Sequence, residues 1–265
     1  MKKNYWLWIG AVALFAATDA QPASTPGAGF FIPGVDFSKL VLTEGAWCRY
    51  RVADEALGTV DSSEVYIGVP SSEMTPQGLA FWVELETRPV GATSEDAQIL
   101  KLLVLEAIRS FEEGDSLGEY VVRLYNKNGS DPPQEEDPKK FKRFSLVIPT
   151  TDSSWVATPD VPTETASGSF RCIKKERVVV ENKEIPTGNV TLVRKARDDF
   201  TVWFSDDIPV FRMAKCMIIR VRETETVPKI KGIPDSGRKE SKTTAELVEY
   251  GYDASPILSV GSDGE

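Results

Sequence analysis

Two pairs of adjacent aspartates, Asp198–Asp199 and Asp206–Asp207, bracket an aromatic stretch and are the first candidates for carboxylate chemistry. In an extended chain their seven-residue separation corresponds to about 23 Å, at about 3.3 Å per residue. The two carboxylates of a glycosidase lie within about 5–10 Å of each other. Adjacent strand residues also point to opposite faces, so neither pair can act as a dyad. We therefore expect both pairs to mark turns at the two ends of one strand, since aspartate favours turns over strands.

The remaining carboxylate candidates are Glu84, Glu86 and Asp207. Glu84 and Glu86 share one face of a predicted strand, which permits a carboxylate-only hydrolase as a third and least favoured function. Ordinary alternation of solvated residues explains the same spacing more simply. The chain contains 0 histidines, which excludes Ser-His-Asp and Cys-His catalysis and histidine-ligated metals. We expect a protein that is not an enzyme and has no metal site.

The three cysteines are Cys48, Cys172 and Cys216. None is spaced like a metal clip or a redox pair. In an exported protein the natural expectation is one disulfide and one spare thiol, and the sequence leaves all three pairings open. A catalytic cysteine is disfavoured because no histidine is available to lower the pKa of a thiol.

The N-terminal residues 1–20 have the layout of a secretory signal peptide. Lys2 and Lys3 precede the uncharged apolar run Tyr5–Ala17, and small residues follow it. The run is shorter than the roughly 20 residues that span a bilayer. No later stretch is apolar for long enough, so we expect no transmembrane segment in the mature chain and a periplasmic or extracellular location.

The overall composition is that of a globular protein, with 41% hydrophobic and 27% charged residues. The formal net charge of −9 disfavours nucleic acid and anionic membrane surfaces as partners, because both require clustered lysine and arginine. The chain has no phosphate-binding glycine loop, calcium loop or dinucleotide motif, so we expect no cofactor.

Short apolar–polar alternating segments separated by turn residues predict successive antiparallel strands. The predicted strand segments are 40–52, 62–69, 79–87, 119–126, 141–148, 168–181, 189–196, 200–205 and 244–251. Segments rich in charge, proline and glycine are predicted loops, namely 126–138, 150–165 and a charged insertion at 224–242. We therefore assign residues 21–39 to an extended leader, 40–260 to one β domain and 261–265 to a disordered tail.

Residues 97–111 fit two predictions. Leu100, Leu103, Val104 and Ile108 could form one face of an amphipathic helix. The nearly continuous apolar run from Ile99 to Leu105 also suits a strand buried on both faces.

The order of several short motifs resembles the lipoprotein-carrier (LolA/LolB-like) half-barrel family of exported bacterial proteins. The residues that carry this resemblance are Gly45, Trp47, Tyr50, Gly78, Phe81–Glu84, Gly168, Phe170, Cys172, Thr201–Ser205, Pro209 and Glu246–Gly251. The resemblance implies a mainly β fold, a single curved antiparallel sheet with few short helices. It also favours the strand interpretation of residues 99–105.

The same resemblance implies an apolar hollow that shields lipid or acyl chains from water. The candidates for its wall are Trp47, Trp82, Phe144, Trp203 and Met213. Aromatic residues at alternate strand positions also pack closed cores. The expected function is accordingly non-catalytic binding of a lipid or another apolar ligand. The alternative is an envelope structural protein with a filled core, whose sheet edge or charged insertion meets a protein partner.

Overall fold

The computed structural model describes residues 40–110, 117–140, 154–187, 190–227 and 237–259. They form one antiparallel sheet of eleven strands, ordered β6-β5-β4-β3-β2-β1-β11-β10-β9-β8-β7. The strands are β1 Trp47–Ala56, β2 Thr59–Thr75, β3 Gly78–Pro89, β4 Gln98–Leu105, β5 Val121–Asn128, β6 Gln134–Glu136, β7 Val156–Thr165, β8 Gly168–Thr187, β9 Val190–Phe204, β10 Met213–Val227 and β11 Arg238–Gly251. The predicted mainly β, single curved antiparallel sheet is confirmed.

Helical structure in the described ranges is limited to four short 3₁₀ turns. They are Ser94–Asp96, Glu106–Ser110, Leu117–Glu119 and Pro138–Lys140. None of the helices among these residues is long and apolar enough to cross a membrane.

The sheet consists of two meanders joined at one seam. Strands β1 to β6 pair in chain order, and so do β7 to β11. The first and last strands then pair with each other, from Trp47 opposite Gly251 to Ala56 opposite Ser241. The two ends of the described chain therefore meet at the centre of the sheet.

Residues 98–105 form a strand, as the resemblance implied, and the helix alternative is wrong. β4 is almost wholly buried, because apolar layers cover both of its faces. Leu100, Leu102 and Val104 belong to the main core, whereas Ile99 and Leu103 belong to a second cluster on the opposite face. Burial on both faces explains why the sequence of this strand is continuous in apolar residues.

The main core lies on one face of the sheet, which we call the inner face. Alternation places Cys48, Tyr50 and Val52 of β1 in this core and turns Trp47 to the other, outer face. The buried Tyr50 hydroxyl donates a hydrogen bond to the Met213 carbonyl (3.0 Å), so the largest polar side chain in the core has a partner. One buried face and one mostly polar face match the alternation predicted from sequence.

Four strands continue well past the core and form what we call the sheet extension. It comprises residues 178–187 of β8, 190–199 of β9, 219–227 of β10 and 238–242 of β11. None of the side chains described in these ranges belongs to the hydrophobic core. Its β9 part alone extends about 33 Å at about 3.3 Å per residue.

The extension corrects two predictions. Asp198 and Asp199 lie within β9, paired with β8 and β10, and do not mark the end of a strand. Bidentate pairing of Asp198 with Arg222 offsets the poor strand propensity of aspartate. The prediction of a loop at 224–242 is also wrong at both ends of that range, because β10 continues to Val227 and β11 begins at Arg238.

A third prediction is corrected at the sheet edge, where residues 156–165 of the predicted 150–165 loop form β7. Pro159 and Pro162 mimic a loop sequence, and proline is tolerated at an edge because it need not donate a hydrogen bond there. Asp160 lies between them with a φ of 56°, within a register shift of the β7–β8 pairing. The opposite edge, β6, has three exposed residues, so both edges are poor templates for further strand pairing.

Several predictions lie outside the described residues. These are the signal peptide at 1–20, the leader at 21–39, the strand at 141–148, the centre of the charged insertion at 228–236 and the tail at 261–265.

Candidate functional site

The inner face, where the sequence predicts a hollow, is occupied by side chains. Met213, one of the predicted wall residues, has 0% of its surface exposed. The connection Ser205–Arg212 between β9 and β10 folds onto this face and buries Ile208, Val210 and Phe211. We call this connection the plug. The described side chains of the main core on this face are therefore shielded from solvent.

The plug is fixed by hydrogen bonds at both of its ends. Ser205 donates its N–H to the Arg212 carbonyl (2.8 Å), and Val41 donates to the Val210 carbonyl (2.6 Å). The Cys48 thiol donates to the Pro209 carbonyl (3.0 Å). Val210 has a φ of 64°, which is unfavourable for a β-branched residue and is maintained by this surrounding structure.

The aspartates at the start of the plug lie in a turn, as predicted for Asp206–Asp207. Asp206 is exposed and accepts a hydrogen bond from Arg212 (2.7 Å). Both aspartates are therefore at the surface, away from the second pair within β9. The four carboxylates do not form one cluster.

The five predicted wall residues are not on one surface. Trp47 and Trp82 lie on the outer face, where Trp47 contacts Tyr66 and Trp82 contacts Tyr125. Trp203 is partly buried against the main core, and the Lys174 ammonium lies 5.9 Å from its ring centroid. Met213 lies in the core, and Phe144 lies outside the described residues.

The outer face carries an ion pair that sequence analysis did not identify. Glu84 of β3 and Lys101 of β4 are directly opposite each other, and the ammonium lies 2.9 Å from a carboxylate oxygen. Glu84 is 0% and Lys101 7% exposed. The sequence contained one sign of the pair, because Lys101 is the only charged residue in the apolar strand Gln98–Leu105.

The C-terminal segment after β11 covers this ion pair. The Glu84 carboxylate accepts hydrogen bonds from the N–H groups of Ile257 (2.6 Å) and Leu258 (3.4 Å). The Lys101 ammonium donates to the Leu258 carbonyl (2.7 Å). The two charges thus bind three main-chain groups of one short segment, and this accounts for their tolerated burial.

An apolar pocket receives the side chain of Leu258, which is 3% exposed. It belongs to the second cluster together with Ile99, Leu103 and the rings of Trp82 and Tyr125. The Lys101 ammonium lies 5.0 Å from the centroid of the Trp82 ring, and the Trp82 indole donates to Glu73 (3.1 Å). The walls of the pocket are therefore built on the sheet and oriented by it.

Tyr66 lies beside the buried pair. Burial, together with the nearby negative charge of Glu84, raises the pKa of Tyr66 to about 12. Trp47 stacks near Tyr66 with ring centroids 5.8 Å apart, and its indole donates to Asp253 (2.7 Å) at the start of the C-terminal segment. Tyr66 therefore stays protonated at neutral pH.

The carboxylate candidates differ in what they can do chemically. Both oxygens of Glu84 are engaged, and the segment above it separates it from solvent. Glu86 is partly buried with the Arg88 guanidinium 3.9 Å away, and Asp207 lies in an exposed turn. No group of three potential metal ligands occurs among the described residues. The geometry of the Glu84–Lys101 pair suits recognition of peptide main chain.

All three cysteines are free and buried in this structure, and the expected disulfide stays a prediction. Cys48 lies on β1, Cys172 on β8 and Cys216 on β10, and each packs in the main core. Burial raises the pKa of Cys48 to about 12 and raises the pKa of Cys216 still further. These thiols are unreactive near neutral pH, since the thiolate is the reactive form.

No protein-family model and no curated protein matches the chain significantly. Among solved structures, the chain is similar to a candidate lipoprotein from Parabacteroides distasonis ATCC 8503, with 12% identity and a TM-score of 0.32 over 83% of this chain and 100% of the other. It is similar at the same identity and TM-score to a candidate exported protein with a YmcC-like fold from Bacteroides fragilis NCTC 9343, over 84% of this chain and 99% of that one. At these values neither structure assigns a function or a compartment to this chain. The resemblance to lipoprotein carriers stays a prediction.

Proposed function

We propose that the protein is an exported, non-catalytic interaction protein that binds a protein partner through the outer face of the sheet extension. Of the functions weighed from sequence, this is the alternative with a filled core. It is supported by one observation above all: the extension projects past the core and exposes valines on its outer face.

The apolar side chains of this face form two neighbouring rows. Pairing places Val178 and Ile219 on either side of Asp199, and it places Val180 and Val221 on either side of Arg197. Directly opposed residues share a face, so these rows lie on the side of β9 opposite to its core residues.

The valines on β8 are exposed, whereas Ile219 and Val221 on β10 are half-buried. Val178 is 55% and Val180 63% exposed. Val178 and Val180 are neighbours on one face of β8, and a partner that buried them would gain about 25 cal/mol per Å² of apolar surface.

Charges between the valines are paired within the protein. Arg197 donates to Asp199 (2.8 Å) in the middle of the two rows, and Lys195 donates to Glu225 (2.9 Å) further along the extension. A face of apolar side chains with neutralised ion pairs suits a protein partner better than an anionic membrane, which attracts unpaired basic residues.

An apolar ligand in the inner hollow is the function predicted first from sequence. The burial of the described core side chains and of the plug supports the filled-core alternative instead. It stays a prediction, and the experiment below distinguishes it from partner binding.

The test is native mass spectrometry of the full chain purified from its own cell envelope. We expect a stoichiometric protein partner with the wild type, and we expect its loss when Val178→Glu and Val180→Glu are combined. The control is Val156→Glu at the β7 edge, which is 67% exposed and should retain the partner.

Circular dichroism and the melting temperature check that the double variant is folded. A folded double variant that retains the partner would refute the proposed surface. A wild-type species that carries a lipid mass and no protein would instead favour the apolar-ligand function.

A further inference from the structure

We propose that the outer-face groove over Glu84 and Lys101 is a peptide-binding site that the chain's own C-terminal segment occupies in the free protein. An extended segment of a protein partner, carrying a leucine-sized side chain, would take its place. The site is distinct from the sheet extension and does not depend on it.

The buried charges recognise only main-chain atoms of the C-terminal segment. Glu84 accepts from the Ile257 and Leu258 N–H groups, and Lys101 donates to the Leu258 carbonyl. Every peptide offers consecutive N–H and C=O groups of this kind. The ion pair therefore places no requirement on side chains, and any selectivity comes from the apolar pocket under Leu258.

The pocket does not depend on the C-terminal segment for its shape. Leu103 and Trp82 are directly opposite each other in the β3–β4 pairing, and Tyr125 stacks at 6.1 Å from the Trp82 ring. The indole of Trp82 is held by Glu73. Removing Leu258 would leave the walls in place and uncover an apolar surface beside two buried charges.

The C-terminal segment is attached to the sheet at two separate points. Close to the sheet, Ala254 donates to the Gly45 carbonyl (2.7 Å). Gly45 has a φ of +84°, and a Cβ there would lie 2.6 Å from the Tyr252 carbonyl oxygen, so glycine is required for this close approach. The second attachment is Leu258, and the residues between them are mostly exposed.

We call residues 255–259 the latch. Ile257 remains 37% exposed, and Leu258 is the only buried side chain of the latch. The first attachment at Ala254 keeps the latch near the groove at high effective concentration. A competing peptide can nevertheless displace it, because a single buried side chain and main-chain bonds hold it there.

The experiment uses a fluorescein-labelled peptide with the sequence of residues 255–262 and the full chain carrying Leu258→Asp. The aspartate would be unpaired in an apolar pocket, so the latch should leave while Ala254 stays attached. We expect fluorescence anisotropy to show peptide binding to this variant about tenfold or more tighter than to the wild type, where the latch competes.

Three controls test recognition. The same peptide with aspartate at the Leu258 position should not bind. The variant that combines Leu258→Asp with Glu84→Leu and Lys101→Met should bind at least about tenfold more weakly, since hydrogen bonds to charged groups are lost. The exposed pair Arg238–Glu240, replaced by Arg238→Met and Glu240→Leu in the Leu258→Asp background, should leave the affinity unchanged.

Hydrogen exchange of the wild type gives a second readout that does not depend on any variant. We expect the Ile257 and Leu258 amides to exchange at least about tenfold faster than amides within β4, because the latch opens without unfolding the sheet. Equal protection of the latch and β4 would overturn the proposal. So would a folded Leu258→Asp variant that does not bind the peptide.

Discussion

Strands β8 to β10 run through two regions of one sheet, and these regions differ in the side chains that cover their inner face. Near the plug, Phe200 and Val202 of β9 and Ile218 of β10 are buried in the main core. In the extension, the same inner face carries Asp198 where Phe200 would continue the apolar row. The backbone pairing of β9 continues without a register shift into the extension, on β8 throughout and on β10 from Lys215 onward. Sheet pairing can therefore persist without a core when cross-strand side chains interact.

The two regions also hold their charges differently. Glu84 and Lys101 are buried in the core-bearing region and are satisfied by the latch. Asp198 and Arg222 in the extension are partly exposed, with an oxygen and a nitrogen 3.0 Å apart. Solvent already screens the second pair, whereas the first depends wholly on its protein partners. The same type of interaction thus has different consequences for stability in the two regions.

The largest expected effect comes from leaving one of the buried charges without its partner. Lys101→Met should lower the free energy of unfolding by about 3–5 kcal/mol, because Glu84 is then a buried, uncompensated charge. Arg222→Met in the extension should cost about 0.2–1 kcal/mol. Urea denaturation measures both. Combining Lys101→Met with Glu84→Leu should restore part of the loss, and equal costs for the two single variants would contradict the distinction between the regions.

A smaller effect is expected from truncating apolar side chains in the two regions. Leu247→Ala removes a side chain of the core that is 0% exposed and should cost about 2–5 kcal/mol. Val180→Ala in the extension should change the free energy of unfolding by no more than about 0.5 kcal/mol in the isolated protein. The melting temperature and urea midpoint give the comparison. A large loss for Val180→Ala would mean that the extension has a core of its own.

The third expected effect is alkaline destabilisation, which originates in the core. The folded-state pKa of Cys48 is raised to about 12 by burial, above the unfolded value of about 8.5–9. The unfolded state therefore loses its proton first as the pH rises. The free energy of unfolding should be constant below about pH 8.5 and then fall by about 1.4 kcal/mol per pH unit for this thiol.

The control for this pH dependence is Cys48→Ala, which should show a shallower decline between pH 9 and 11. Cys216 should behave similarly, because burial also raises its pKa. Val156→Ala at the exposed β7 edge removes no titratable group and should leave the slope unchanged. An unchanged slope in Cys48→Ala would show that other groups account for the loss.

The sequence predicted the strands correctly where the pattern of apolar residues follows their burial. Residues 98–105 are continuously apolar because apolar layers cover both faces of their strand. The residues around Tyr50 alternate because a core covers only one face of theirs. It was misleading in the extension and at β7, where no core imposes a period of two. Asp198 reads as a turn residue because its partner Arg222 is 24 residues away.

The candidate site over Glu84 and Lys101 could not be predicted from the sequence for a similar reason. Lys101 within an apolar strand indicated that something must neutralise it. Its partner Glu84 lies on the preceding strand, but the Leu258 carbonyl comes from a segment 157 residues away. Only the tertiary structure brings them together, because no local pattern encodes a contact between an ion pair and main-chain groups of a distant segment.

The seam between β1 and β11 sets the order in which the sheet can assemble. Each meander forms from neighbouring hairpins, but Arg49 meets Glu249 across a separation of 200 residues. Closing a loop of that length is slow, and folding rates fall as contacts become more distant in sequence. Before closure the long strands on both sides of the seam have unpaired edges, so a chain released unfolded would need protection from aggregation during this step.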